Sequence, residues 1–291
     1  MLLPFAILGE GLFDLRFFLL KIAELFFEFR KSFSSGGLEP LRLIQLRLQL
    51  HGAAVEKIPG ARPRATEALM EEIERSDSVY ASHSWHPLFL EGLRTMAYEI
   101  TEQLEWSAPD YVCCPVGGGS ILLGLFLGFT DLLEAGVVER LPRLIAIQAE
   151  NVSPVCSAFA AGEEEVAPAP NPQPTLAEGI ALVQPARHRE LLQALRSCDG
   201  RAVAVSEADI EEGVRALGRQ GFFVEPTSAV VWKGLTKLHA EEPFAHGSTI
   251  VTILSGHGLK ASEKLAELCS DGDSDVTREA NAACALLGVE A

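Results

Sequence analysis

Two apolar runs in this chain end directly in glycine-rich loops, and this limits the folds open to it more than any other feature. Residues 111–116, Tyr-Val-Cys-Cys-Pro-Val, run straight into Gly117-Gly118-Gly119-Ser120. Residues 248–254 run into Ser255-Gly256-His257-Gly258. Apolar runs of this length, bounded by turn residues, read as buried strands. Further strands are predicted over 143–149 and 201–205, and helices over 88–105, 121–133, 186–197, 207–219 and 227–240. Strands that alternate with helices imply an α/β fold, with a parallel-rich sheet flanked by helices. In such sheets ligands bind beyond the carboxyl ends of the strands, where both glycine loops fall. Pro168, Pro170, Pro172 and Pro174 mark a loop without regular structure.

The front of the chain has a different texture. Eight of the 15 Phe lie between residues 5 and 33, and residues 12–31 read as an amphipathic helix. It could pack on a core, meet a partner or a membrane surface, or be foreign to the rest of the fold. Ser34-Ser35-Gly36-Gly37 and Pro40 end it. A helix over 41–50, a short strand over 52–58 and an acidic helix over 63–75 follow. An Asp/Ser-rich break at 270–275 precedes a final small helix.

The chain carries 40 Asp and Glu against 24 Lys and Arg, a net charge of -16. Such a chain repels phosphate backbones, which argues against nucleic-acid binding. A phosphate-bearing ligand would have to be held locally by backbone N–H groups. The six cysteines form no C-x-x-C pair, so reduced thiols are expected rather than a zinc ribbon or a disulfide scaffold. No apolar run reaches the roughly 18 residues of a membrane span. The nearest, 11–27, is broken by Asp14, Arg16, Lys21 and Glu24. The opening residues lack the basic region of a signal peptide. A cytoplasmic protein without membrane contact is expected.

The three glycines before Ser120 let the backbone aim its N–H groups at one point, where the next helix also begins. The loop reads as an anion cradle or as a tight strand–helix turn. It is not a Walker loop, because no Gly-Lys-Ser/Thr ends it. It is not a dinucleotide fingerprint, because Leu stands at 122. Ser255, at a strand end among glycines, could present its hydroxyl to a heteroaromatic nitrogen. His257 reads as a loop residue or a base. Gly179, after Glu178, could let a flat ring lie against the backbone, or could be an ordinary turn. Glu225-Pro226-Thr227-Ser228-Ala229 reads as a helix start, by capping alone or with a site role. Cys113 and Cys114 point to opposite faces of one strand and read as packing residues. His83 and His86 lack further ligands at metal spacing, and no metal is expected.

These segments together resemble a known family, the fold-type II pyridoxal-phosphate (PLP) enzymes, and most of all the threonine synthases. The matching blocks run in the family's order. They are Gly52-Ala53-Ala54-Val55, residues 84–92 (SWHPLFLEG), residues 115–120 (PVGGGS), residues 142–150 (PRLIAIQAE), residues 176–181 (LAEGIA), residues 221–229 (GFFVEPTSA) and residues 255–260 (SGHGLK). The resemblance implies a tryptophan synthase β-like fold, and PLP as cofactor. It implies that Gly117, Gly118, Gly119 and Ser120 hold the PLP phosphate, that Gly179 lies at the ring edge and that Ser255 meets the pyridine nitrogen. Glu178 and Glu225 would line the pocket. The implied chemistry is elimination or replacement on a small amino-acid substrate, as when threonine synthase converts O-phosphohomoserine and water to threonine and phosphate.

One departure stands against that implication. The family joins its cofactor to a lysine in a block of the type S-F-K-D-R-G, and binds the substrate carboxylate with an S-G-N loop. Neither block is in this chain, and His86 stands where the family has Asn. None of Lys21, Lys31, Lys233, Lys237, Lys260 and Lys264 reads as a replacement. The expectation is an N-terminally truncated fold with an atypical Phe-rich helical segment over 1–39, the remnant of a smaller α/β domain over 40–85 and a large PLP-binding α/β domain over 86–291. A lyase without turnover is expected, with no catalytic residue to name. A non-catalytic binding or regulatory protein, or another elimination or replacement enzyme (a dehydratase or a sulfur-transfer synthase), stands beside it. Exposed sheet edges and apolar faces would favour a homodimer.

Overall fold

The computed structural model describes residues 46, 48–53, 55–58, 62–76, 79, 81 and 86–270. The chain divides into two units, Met1–Val79 and Tyr80–Ala291. The Phe-rich segment expected over 12–31 and the final small helix expected beyond 275 lie outside the described residues.

In the first unit residues 46 and 48–50 are helical, and helix α1 spans Arg62–Arg75. The strand expected over 52–58 is not formed among the described residues. Gly52 instead ends the preceding helical turn. It stands at φ +81, while the amides of Gly52 and Ala53 donate back to the carbonyls of Gln49 and Leu48. A glycine in the left-handed region closes a helix by this pattern. The run therefore begins as a helix stop.

The second unit carries helix α2 (Leu88–Gln103), strand β1 (Tyr111–Pro115), α3 (Ser120–Glu134), β2 (Arg143–Ala149) and α4 (Pro154–Ala160). After a 3-10 turn at Glu178–Ile180 come α5 (His188–Ser197), β3 (Arg201–Val205), α6 (Glu207–Arg219), α7 (Pro226–Glu241) and β4 (Ile250–Thr252). A second 3-10 turn, Gly258–Ala261, leads into α8 (Ser262–Ser270). The four strands form one sheet in the order β3-β2-β1-β4, with every pairing parallel. β4 is shorter than its apolar run suggests, and α4 was not legible as a helix.

Strand alternation sorts the core into two layers. Val112, Cys114, Leu144 and Ala146 face Leu122, Leu125 and Phe129 of α3 and Leu191 and Leu195 of α5. Cys113, Ile145 and Ile147 face the other way, towards Ile210 of α6 and Val230, Val231 and Leu238 of α7. Both neighbouring thiols are fully buried. Burial pushes Cys114 up to about 12 and Cys113 well above its ordinary value, so they act as packing groups. α6 is held at its start by a reciprocal pair: Ser206 accepts from the Asp209 amide, and Asp209 accepts from the Ser206 amide.

The strand order places the site. β1 and β4 are adjacent and parallel, with Cys113 opposite Thr252. Residues 117–120 and 255–258 therefore leave the same edge of the sheet side by side. They are separated by about 140 residues in sequence, and only the crossovers bring them together.

Candidate functional site

The glycine loop begins where the ladder between β1 and β2 ends. The Val116 amide makes the last bond, to the Ile147 carbonyl at 2.8 Å. The Val116 carbonyl accepts from Nε2 of Gln148 at 3.1 Å, while Oε1 of Gln148 accepts the amides of Val155 and Cys156. Gln148 is fully buried, and it fixes the strand end against the start of α4. Gly119 then turns the chain at φ +78 and caps α3. The first bond inside α3 runs from the Leu123 amide to the Gly119 carbonyl. Among the described residues, the amides of residues 117–122 donate to no protein acceptor. A row of unpaired N–H groups at the positive end of a 15-residue helix is a cradle for an anion.

The Gly179 turn packs directly on this loop. A Cβ at Gly117 would stand 2.9 Å from the Ile180 Cα and 3.2 Å from the Gly179 carbonyl oxygen. The Gly179 amide donates to Oγ1 of Thr227 at 2.9 Å. Glu178 accepts from Nζ of Lys264 at 2.6 Å. The next residue after Thr227 reaches the second glycine loop. Oγ of Ser228 lies 3.0 Å from Oγ of Ser255, donates to the Gly256 carbonyl and accepts the Gly256 amide at 2.7 Å. The Glu225 carboxylate lies where a Cβ on Gly256 would go, 2.1 Å from its Oε1. Glu225 starts α7 with no side-chain capping bond, so capping alone does not account for it.

The residues singled out in sequence thus form one connected array. Gly117, which opens the loop that runs on through Gly118, Gly119 and Ser120, packs on the Gly179 turn, and Ser255 meets Glu225 through Ser228 and Gly256. Three members of the array were missed. Thr227 and Ser228 are buried, and they join the Gly179 turn to the Ser255 loop from consecutive positions on the first turn of α7. Their signal was the pair of adjacent hydroxyls after Pro226, in the block that reads as a helix start by capping alone or with a site role. Gln148 was the polar residue in the otherwise apolar run 144–149 of β2, a pattern that demands internal hydrogen bonds.

Other candidates have structural roles. Nδ1 of His257 accepts the Leu259 amide, and its ring meets Phe223 edge-on at 5.3 Å. Nδ1 of His86 accepts the Leu88 amide at the start of α2. His83 lies outside the described residues. Lys233 pairs with Glu212 at 2.7 Å, and Lys237 donates to the Ala204 carbonyl at 2.9 Å and faces Glu150 and Asp209.

The geometry suits a flat ring bearing a phosphate. The cradle supplies donors without a basic side chain, the Gly179 backbone supplies a surface without a Cβ, and Ser255 supplies a neutral donor. Comparison with known proteins agrees. The chain belongs to the pyridoxal-phosphate dependent enzyme family, whose model matches residues 43–256. Threonine synthase of Methanocaldococcus jannaschii is 35% identical over 211 residues, which cover 72% of this chain and 52% of that protein. Threonine synthase of Methanosarcina acetivorans is 32% identical over 237 residues, 79% of this chain and 58% of that protein. Among solved structures, an L-serine ammonia-lyase from Rhizomucor miehei superposes with a TM-score of 0.62 at 22% identity, covering 79% of this chain and 70% of that one. The fold is therefore that of the fold-type II PLP enzymes, and the family's cofactor is PLP. The chain spans about half of the length of the curated relatives it matches.

Proposed function

We propose that this chain binds PLP at the carboxyl edge of its sheet and is the cofactor-holding part of a threonine synthase-like lyase. The observation that carries the reading is the row of unpaired amides over 117–122, placed against Gly179 and beside Ser255. The amides of residues 117–120 hold the phosphate, helped by the start of α3. Gly179 lets the ring approach the backbone, and Thr227 fixes that turn by taking the Gly179 amide. Ser255 donates to the ring nitrogen, while its oxygen accepts the Ser228 proton in place of the Gly256 carbonyl. When bound, PLP supplies the electron sink for chemistry at the α-carbon of an amino acid. The substrate class is an amino acid with an oxygen leaving group, and O-phosphohomoserine is the first to try.

This chain alone does not turn over that substrate. The side chains of Lys233, Lys237 and Lys264 are each engaged by carboxylates, Lys233 by Glu212, Lys237 by Glu150 and Asp209, and Lys264 by Glu178. The test is a titration of the purified chain with PLP, followed by absorbance, borohydride treatment and peptide mapping. The expected result is saturable binding that inorganic phosphate competes away, with no single lysine fixed to the cofactor and no threonine formed. Absence of saturable binding overturns the cofactor reading. A single modified lysine, or threonine from O-phosphohomoserine, overturns the inactivity.

A further inference from the structure

An ion pair joins the Gly179 turn to the segment that follows Ser255. Glu178, next to Gly179, meets Nζ of Lys264 at 2.6 Å. Lys264 stands on α8, nine residues after Ser255 along one continuous segment: loop, 3-10 turn, helix. That segment is held elsewhere too. Leu265 is buried, and the Arg215 side chain donates to the Leu268 carbonyl at 3.0 Å. At its start, the Gly258 amide donates to the Phe223 carbonyl. Glu178 belongs to a turn of three residues whose middle amide is already pinned by Thr227. The ion pair is thus a side-chain link between α8 and the turn that carries Gly179.

We propose that Lys264 is a positioning residue for the cofactor site: through Glu178 it ties α8 to the Gly179 turn, and so couples the seating of the ring to the placement of α8. The inference rests on the cofactor reading above. Two physical effects act in the same direction. The pair fixes the turn against the glycine loop. It also neutralises a carboxylate near the cradle, in a chain of net charge -16 that must admit an anionic ligand.

The pair is partly open to water, with side-chain exposures of 26% for Lys264 and 55% for Glu178, so its effect is modest. Replacing Lys264 by Gln weakens PLP binding by roughly two- to five-fold at low salt, the range for an exposed ion pair. Lys264→Arg restores the affinity. At about 1 M salt, where charges are screened beyond about 3 Å, the difference between wild type and Lys264→Gln shrinks. Glu178→Gln added to Lys264→Gln costs nothing further and recovers the part of the affinity lost to the uncompensated carboxylate. Hydrogen exchange supplies a readout that a purely structural contact would not move: PLP protects residues 262–270 in wild type and fails to in Lys264→Gln. Equal affinity and equal protection in wild type and Lys264→Gln overturn the proposal, as does an Arg variant as weak as the Gln one. Should Lys264→Gln fold poorly, the exchanged pair Lys264→Glu with Glu178→Lys recovers the affinity and the protection if the pair acts as proposed, and neither if it does not. If wild type itself binds no PLP, the cofactor reading fails and the coupling with it.

Discussion

Each glycine of the loop at 117–119 meets a different constraint. Gly117 faces backbone: an added Cβ would stand 2.9 Å from the Ile180 Cα. Backbone cannot yield as a flexible side chain can, so Gly117→Ala pushes the Gly179 turn away from the loop. Gly118 faces only the tip of Leu182 at 3.7 Å, an ordinary contact. Gly119 needs its left-handed conformation, and a Cβ there would also meet Leu191 at 2.2 Å. We expect Gly117→Ala to destabilise the chain by about 1–3 kcal/mol through overpacking, and to weaken PLP binding at least ten-fold. Gly118→Ala should leave the thermal midpoint within the small range of surface changes, about 0.5 kcal/mol. Thermal melts of the PLP-free variants and a PLP titration of each check this. A Gly117→Ala protein as stable and as PLP-competent as Gly118→Ala contradicts the packing argument. None of this ranking was legible in three consecutive glycines, because the neighbours that rank them come from residues 180, 182 and 191.

At the scale of elements, the sheet and its helices were legible because each carries its own period. β2, β3 and α6 fall at 143–149, 201–205 and 207–219 as the apolar pattern places them. Gly52 was misread because a glycine that ends a helix and one that starts a strand look alike in sequence. The connections among elements needed the structure. α2 and α3 pack closely because α3 offers glycines: a Cβ at Gly128 would lie 2.5 Å from the Arg94 carbonyl and 2.8 Å from the Ala97 Cβ. One turn on, Asp131 accepts from Arg94 at 2.7 Å and from the Tyr98 hydroxyl at 2.6 Å. Burial opposes the Asp131 charge, but these two partners prevail and hold its carboxyl below the ordinary 3.8. Gly128→Ala must spread α2 from α3, at a cost of about 1–3 kcal/mol. Asp131→Asn keeps the shape and loses the charge, at about 1 kcal/mol once solvent screening of this partly exposed pair is allowed for. Urea denaturation of both variants separates packing from charge. A Gly128→Ala midpoint equal to wild type would mean that the two helices are not held at this distance.

At the scale of the whole molecule, two electrostatic effects compete. The net charge of -16 repels itself at neutral pH, and mild acid relieves that repulsion. Against this stand carboxylates whose partners exist only in the fold. Glu242, at the end of α7, accepts from Arg143 at 2.7 Å and from Arg201 at 3.0 Å, which joins α7 to the starts of β2 and β3. The Arg143 hydrogen bond is the leading cause that holds the Glu242 carboxyl below its ordinary 4.5. Asp209 is also held below its ordinary 3.8. Burial opposes its charge, and the Ser206 hydrogen bonds together with Lys237 and Lys233 overcome that opposition. A carboxyl lowered in the fold adds stability above its unfolded value, and that stability is lost as pH falls through the folded value. For Asp131, Asp209 and Glu242 the loss therefore begins near pH 4.5 and deepens below 3.8. Relief of repulsion acts earlier, as the first exposed carboxylates protonate. The urea midpoint should hold or rise slightly from about pH 7 to 5.5 and then fall steeply below about 4.5. Glu242→Gln should make the acid limb shallower while costing less than about 1 kcal/mol at pH 7, since Glu242 is 43% exposed. A midpoint that keeps rising through pH 3.5 would mean that repulsion, and not these partnered carboxylates, governs the acid stability of the fold.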